Sequence, residues 1–319
     1  MELEEDIKIN VFKYYSPTYG DGVENTGFKD GQIFFQNPKL FNDPWDSRGF
    51  NFEFSNELKE LIKSGVAIQL SEKVFVNSEK GLNEAFFEDI LDKMGVFCLS
   101  FLPDSQLMWS HYADNHRGYV VHFEFSVKKL QSEGFSVFPV YYTDETLNLL
   151  VSPSNNNKEP LLLNKIGYSK ILDSLLMSAL ILKSCAWSYE KEVRFLLPKK
   201  NPDDLGLVDI DKKYIKSIIL GSKIEDEFKK HLKDIANNEE IEVYEASMSK
   251  NFNIEILDVK GCPKEFQQYC GEKATKNYQD FIDCIKKHTN DYNTIVDFIA
   301  KNNATFENLK KEEIEEISK

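Results

Sequence analysis

Two carboxylates and an arginine alternate in the segment Glu190-Lys191-Glu192-Val193-Arg194. On a strand, alternation puts Glu190, Glu192 and Arg194 on one side, with Val193 and Phe195 on the other. Carboxylates held that close repel, so one takes up a proton more readily, while Arg194 can keep one ionised and oriented. A fixed carboxylate suits a reaction that builds positive charge, such as oxocarbenium-like cleavage of a glycosidic bond. The same pattern also reads as a solvated strand edge carrying a surface ion pair.

The stretch MWSHYADNHRGYVVHFEF, residues 108–125, is denser in chemistry. On a helix, Trp109, Tyr112 and Ala113 share a face, and Met108 can join them. Trp109 and Tyr112 would then form an aromatic wall with polar tips, able to stack a planar ring. His111, Asn115, His116 and Arg117 supply donors at the helix end. The alternative is that Trp109 and Tyr112 are core and both histidines lie at the surface. His122 sits inside a strand and reads as structural. The turn FNDPWDSR, residues 41–48, should pack Phe41 and Trp45 on the body. Asp43 and Asp46 could bind a metal, although two acids in a proline turn more often cap backbone donors. Ser100, in FCLSF, has no nearby His and Asp constellation. The chain contains no Gly-rich phosphate loop, HExxH or GxSxG motif.

Arginine usage sharpens the choice of segments. There are three arginines (Arg48, Arg117, Arg194) against 36 lysines, and each arginine lies within ten residues of one of the three tryptophans, Trp45, Trp109 and Trp187. A chain that otherwise uses lysine keeps arginine where a planar, bidentate fork is needed.

These residues need a scaffold, and the composition supplies one. The 319 residues are 41% hydrophobic and 13% aromatic, with 24 Phe and 14 Tyr, enough for a real core and inconsistent with intrinsic disorder. The net charge of −14 argues against tight, sequence-independent nucleic-acid binding, although a small anion could enter a locally cationic pocket. No run approaches the roughly 18 apolar residues that span a bilayer, so no membrane partner is expected. The start, MELEEDIKIN, is acidic where a signal peptide would be basic. Five widely spaced cysteines (Cys98, Cys185, Cys262, Cys270, Cys284) show no metal spacing and read as reduced thiols of a cytoplasmic protein, with no metal required.

The periodicity predicts strands at 7–15, 31–36, 95–101, 118–125, 135–143, 192–198 and 217–221, and two closing strands at 241–246 and 252–259. Helices are expected at 55–64, 82–94, 104–114 and 224–238, with the longest at about 161–186 after a polar loop at 152–160. Three further helix patterns follow Gly261. The expected division is an α+β domain over 1–260 and a three-helix segment over 261–319. The strands follow no regular βαβ rhythm, so α+β is favoured over a doubly wound sheet.

FKYYS at 12–16, FNDPWDSR, FCLSF, MWSHYADNHRG, WSYEKEVR and SIILG at 217–221 occur in the order of a bacterial family called domain of unknown function 2971, which the chain resembles from about residue 12 to 259. EKEVRFLLP more distantly resembles the Glu-x-Glu strand of the ADP-ribosyltransferase superfamily. That second resemblance implies a central split, mostly antiparallel sheet with flanking helices, and NAD as substrate with no metal. It implies Glu192 as the catalytic carboxylate on the nicotinamide ribose and Glu190 as its partner towards the acceptor. Tyr112 or Trp109 would stack on nicotinamide, with Ser100 near the superfamily's second-strand serine. Lys13 and Tyr14 stand where the superfamily usually has Arg or His, a departure from the pattern. Arg117 or Arg194 would instead hold the pyrophosphate, and His111 adds a donor at the same helix.

The resemblance thus implies an ADP-ribosyltransferase-like enzyme that transfers ADP-ribose to an unknown acceptor, protein or nucleic acid. Bacterial members of that superfamily are often toxins or phage-defence effectors. The 261–319 helices would bind a protein partner, mediate self-association, or form a structural appendage. Two other readings stand beside it: a non-catalytic nucleotide- or partner-binding protein on the same scaffold, and a metal-dependent nuclease using Asp43, Asp46, Glu190 and Glu192.

Overall fold

A computed structural model describes residues 6–65, 68–69, 75–144, 146–151, 177–198, 206–258 and 266–288. The centre is an eight-stranded sheet. In chain order its strands are β1 (Lys8–Tyr15), β2 (Met94–Ser100), β3 (Tyr119–Ser126), β4 (Ser136–Pro139), β5 (Glu192–Pro198), β6 (Ile215–Leu220), β7 (Glu242–Met248) and β8 (Ile254–Asp258). Across the sheet they run β8-β7-β6-β3-β1-β2-β5-β4. Every neighbouring pair is antiparallel except β6 with β7. The protein is therefore α+β with a mainly antiparallel sheet.

Both faces of the central strands are covered, which explains why their sequences run apolar rather than strictly alternating. A large core gathers Phe97, Phe123, Phe125 and Phe195 among many others. A smaller one joins Phe12, Tyr14, Trp109, Tyr244 and Phe266. Helices α1 (Asn56–Lys63), α2 (Glu79–Lys93), α3 (Gln106–Tyr112), α4 (Val127–Ser132), α5 (Asp226–Asn238) and α6 (Gly271–His288) flank the sheet. Ser55, Ser78, Ser105 and Ser126 cap the first four, each accepting a backbone N–H of the first turn. The first of the three expected C-terminal helices, α6, packs into the large core through Tyr278, Phe281 and Ile285, and Tyr278 donates to the Val140 carbonyl. The patterns at 291–303 and 304–317 lie outside the described residues, as do the 152–160 loop and Cys262.

Two expectations need correction. Residues 161–176 of the expected long helix lie outside the described residues, but its end is clear. The helix stops at residue 181, and the chain then forms a short strand, Leu182–Lys183, and a 3-10 helix, Cys185–Glu190. Apolar spacing alone could not separate these, because a buried strand and a buried helix are equally hydrophobic. The expected strand at 135–143 is divided into Ser136–Pro139 and Tyr141–Tyr142. Each part has its own partner, β5 for the first and Leu182–Lys183 for the second.

The sheet opens at one place. β1 and β3 pair through eight residues, whereas β1 and β2 share one register pair, Phe12↔Ser100. Beyond it, Lys13–Tyr15 and Val96–Leu99 part. Gln36 takes over the edge of β2 there, exchanging two backbone hydrogen bonds with Val96 at 2.9 Å.

Candidate functional site

A cavity of about 780 Å³ lies at this opening, lined by Lys13, Tyr14, Tyr15, Phe97 and Ser100 from the parted strands. That volume is in the range that holds a small molecule or cofactor. Tyr19, Phe34, Leu40 and Leu207 also line it and remain exposed, so they form its rim.

At its floor sits a charge cluster from two distant segments, Asp46 from one and Lys183, Glu190, Glu192 and Arg194 from the other, all buried and all lining the cavity. Arg194 is fully buried and forks onto Asp46, with Nη1 to Oδ1 at 2.8 Å and Nη2 to Oδ2 at 2.7 Å. Its Nε donates to Glu192 Oε1 at 2.8 Å, and Nη1 also donates to the Leu180 carbonyl at 2.6 Å. Lys183 Nζ donates to Glu190 Oε2 at 2.6 Å and Glu192 Oε2 at 2.9 Å, and lies 3.5 Å from Asp46 Oδ2. Tyr112, at the end of α3, donates its hydroxyl to Glu190 Oε1 at 2.6 Å. Three carboxyl groups thus share two cations.

Glu190 and Glu192 do not form the simple alternation expected of one strand. Glu190 ends the 3-10 helix, and Lys191 turns left-handed at φ 45° before β5 begins at Glu192. The two side chains still converge, because Lys183 stands between them. Ser100 Oγ holds the turn from the other side, donating to the Glu190 carbonyl at 2.5 Å and accepting from Leu102 N at 2.9 Å.

The two carboxyls have opposite protonation behaviour. Burial, with the neighbouring Glu192 charge, pushes Glu190 up to about 7, despite Lys183 and the Tyr112 hydrogen bond. Burial pushes Glu192 upward too, but Arg194 and then Lys183 overcome it and hold this carboxyl well below the usual range. Burial acts against the Lys183 ammonium, yet Glu192, Glu190 and Asp46 keep it charged beyond the ordinary lysine range. Lys13 is the contrasting cation. Its Nζ reaches back across the opening to the Cys98 carbonyl at 3.0 Å, and burial lowers its pKa.

The remaining sequence candidates divide. Lys13, Tyr14, Ser100, His111, Tyr112, Glu190, Glu192 and Arg194 all line the cavity. Tyr14 spends its hydroxyl on the Leu102 carbonyl at 2.6 Å. Trp109 is fully buried, donates Nε1 to the Pro103 carbonyl at 2.8 Å, and is not a lining residue. Arg117 is exposed, beside Asp114 at 3.3 Å, and is also outside the cavity. Arg48 packs its guanidinium over the Phe87 ring at 5.9 Å. Of three arginines singled out for a bidentate fork, Arg194 forms one. Asp43 caps its own turn by accepting from Trp45 N, so three of the four acids considered for a metal come together, and Lys183 and Arg194 supply their counter-charge. Trp45 is 77% exposed and does not pack on the body. The turn is held instead through Asp46 on Arg194 and a left-handed Ser47.

The polar run after α3 is a structural device. Asp114, Asn115 and His116 are all left-handed (φ 45°, 53° and 71°), an arrangement that costs non-glycine residues about 1–2 kcal/mol each. It is fixed by hydrogen bonds from Asn115, His116 and Gly118 N back to Ser110, Trp109 and Ala113 carbonyls. The turn is clamped between β1 and the end of β6. A Cβ at Gly118 would stand 1.9 Å from the Tyr15 carbonyl oxygen, and one at Gly221 2.2 Å from that of His116. His122 is buried as expected, with Nδ1 at 3.2 Å from Ser217 Oγ and Nε2 at 2.9 Å from Asn10 Oδ1.

Lys183 and the inward role of Asp46 were missed from sequence. Lys183 carried a signal, a single charge within the apolar run ALILKSCAW. Asp46 carried none, since its partner is 148 residues away.

No helix among the described residues is long and apolar enough to cross a membrane. No curated protein and no solved structure matches this chain. Residues 108–195, the segment that carries Tyr112, Lys183, Glu190, Glu192 and Arg194 but neither Lys13 nor Asp46, match the model of a family described as protein of unknown function (DUF2971).

Proposed function

We propose that this chain is an NAD-consuming enzyme of the ADP-ribosyltransferase type, cleaving the nicotinamide–ribose bond and passing ADP-ribose to an acceptor. The observation that supports it is the pair of buried carboxyls held in opposite states at the floor of an aromatic-walled cavity. A carboxyl kept permanently ionised stabilises an oxocarbenium-like centre, and one that titrates near neutrality moves a proton. Tyr112 offers its ring to nicotinamide as the C1′–N bond lengthens and the bonding pair leaves with the ring nitrogen.

The hydrogen-bond inventory supports the division of roles implied by the resemblance, with Glu192 acting on the developing charge and Glu190 towards the acceptor. Glu192 already accepts three N–H bonds, from Arg194 Nε, Arg194 Nη2 and Lys183. A carboxylate has about four lone-pair positions, so Glu192 acts through its fixed charge. Glu190 accepts one bond on each oxygen, from Tyr112 and Lys183, and has room for an acceptor's proton. In the proposed step the acceptor's heteroatom bonds C1′ as its proton passes to the Glu190 carboxylate. The group on which Glu190 acts could as well be water as a macromolecule.

The test is nicotinamide release from NAD by the purified chain. Wild type should release it with a rate that rises with pH through about 7, as Glu190 loses its proton. Glu190→Gln should lower the rate by at least about 100-fold, the lower end of general-base effects. An unchanged rate in Glu190→Gln would sink the assignment. One observation favours the non-catalytic alternative: Arg117 is at the surface and Arg194 is committed to Asp46 and Glu192, so neither is free for a pyrophosphate. NAD binding by calorimetry without release would support that reading.

A further inference from the structure

Two lysines face one cavity in opposite settings. Lys183 is caged by three carboxyls. Lys13 bridges the gap where β1 leaves β2, its Nζ on the Cys98 carbonyl and 5.1 Å from the centre of the Phe97 ring. Among the described residues no carboxylate comes within ion-pairing distance of it. Lys13 is half-buried, so a molecule in the cavity can reach the amine. The carbonyl oxygen and the ring face attract the ammonium only weakly, and burial without a carboxylate beside it disfavours the charged form and shifts the group towards the free amine, the nucleophilic form.

We propose that Lys13 is a covalent anchor for a small planar aldehyde or ketone, which it binds as an imine within the aromatic-walled cavity. The amine nitrogen bonds the carbonyl carbon while the carbonyl π pair moves to oxygen. One nitrogen proton passes through water to that oxygen, giving a hydroxyl, and the second follows the same route as the nitrogen lone pair forms the C=N bond and water leaves. Amine plus carbonyl gives imine plus water, with no oxidant or reductant. The lowering of the Lys13 pKa by burial agrees with this geometry. The inference stands apart from the NAD reading, since it needs neither NAD nor turnover.

The experiment uses the full chain, salicylaldehyde as the probe and cyanoborohydride to trap imines, followed by peptide mapping. Each unit by which a lysine pKa falls makes about tenfold more free amine at neutral pH. Lys13 should therefore carry more of the adduct than any exposed lysine. Lys183, in the same cavity, is the internal control and should stay unlabelled. Adduct spread over exposed lysines with Lys13 no higher than the rest would overturn the proposal. Equal labelling of Lys13 and Lys183 would overturn it as well, because it would report cavity access alone. The wild-type map decides the matter, and Lys13→Met, if it folds, should remove the dominant labelled peptide.

Discussion

Replacing Arg194 with methionine keeps most of the side chain's hydrocarbon volume and removes the charge that orders the cavity floor. In the native protein the fully buried guanidinium makes two bonds to Asp46, two to Glu192 and one to the Leu180 carbonyl. Without it, Asp46, Glu190 and Glu192 share Lys183 alone. Removing one partner of a buried ion pair costs about 3–5 kcal/mol, because the charge left behind is desolvated and uncompensated. A domain is stable by only about 5–15 kcal/mol, so a large fraction would go. At about 2–4 °C per kcal/mol, the melting temperature should fall by about 6–20 °C.

The loss should depend on pH in a defined direction. Glu192 is held below its ordinary range in the native protein, so its contribution is present above the unfolded value of about 4.3 and is lost as pH falls below it. The gap between Arg194→Met and wild type should be widest at pH 7 and shrink below about pH 4. Urea unfolding followed by circular dichroism at both pH values measures it. A loss under about 1 kcal/mol at pH 7, or one that does not change with pH, would refute the ion network as the element that holds the floor. Adding Glu192→Gln should restore part of the loss, because the two groups are coupled.

Two further outcomes follow from buried groups elsewhere. His122, pushed down to about 3 mainly by burial, stays neutral while its unfolded counterpart protonates below about 6.5. Stability should therefore rise with pH between about 3 and 6.5, and His122→Gln should flatten that part of a denaturant-midpoint profile. Gly118→Ala places a Cβ 1.9 Å from the Tyr15 carbonyl oxygen, which has no side-chain freedom to yield. We expect a loss above about 4 kcal/mol or no soluble fold, read by calorimetry, whereas Gly134→Ala, with open space around it, should lose far less despite its positive φ.

Local pattern carried the elements. Strands such as Lys8–Tyr15 and Tyr119–Ser126, and the helices α1, α2 and α3, were legible because apolar period acts within a few residues, whereas the six-residue α4 (Val127–Ser132) was too short to show a period and was not expected. The mixed α+β class and the acidic balance were legible for the same reason, being sums over composition and element order. Rarity of arginine pointed to Arg194, and the close carboxylates pointed to Glu190 and Glu192. Tertiary structure decided the rest. Which arginine makes a fork depended on Asp46 arriving from 148 residues away. Which glutamate stays ionised depended on how Lys183 and Arg194 divide themselves between them. That Trp109 is core and Tyr112 faces the cavity depended on where the left-handed turn after α3 docks. These are outcomes of desolvation and of contacts between distant segments, and one-dimensional spacing does not encode either.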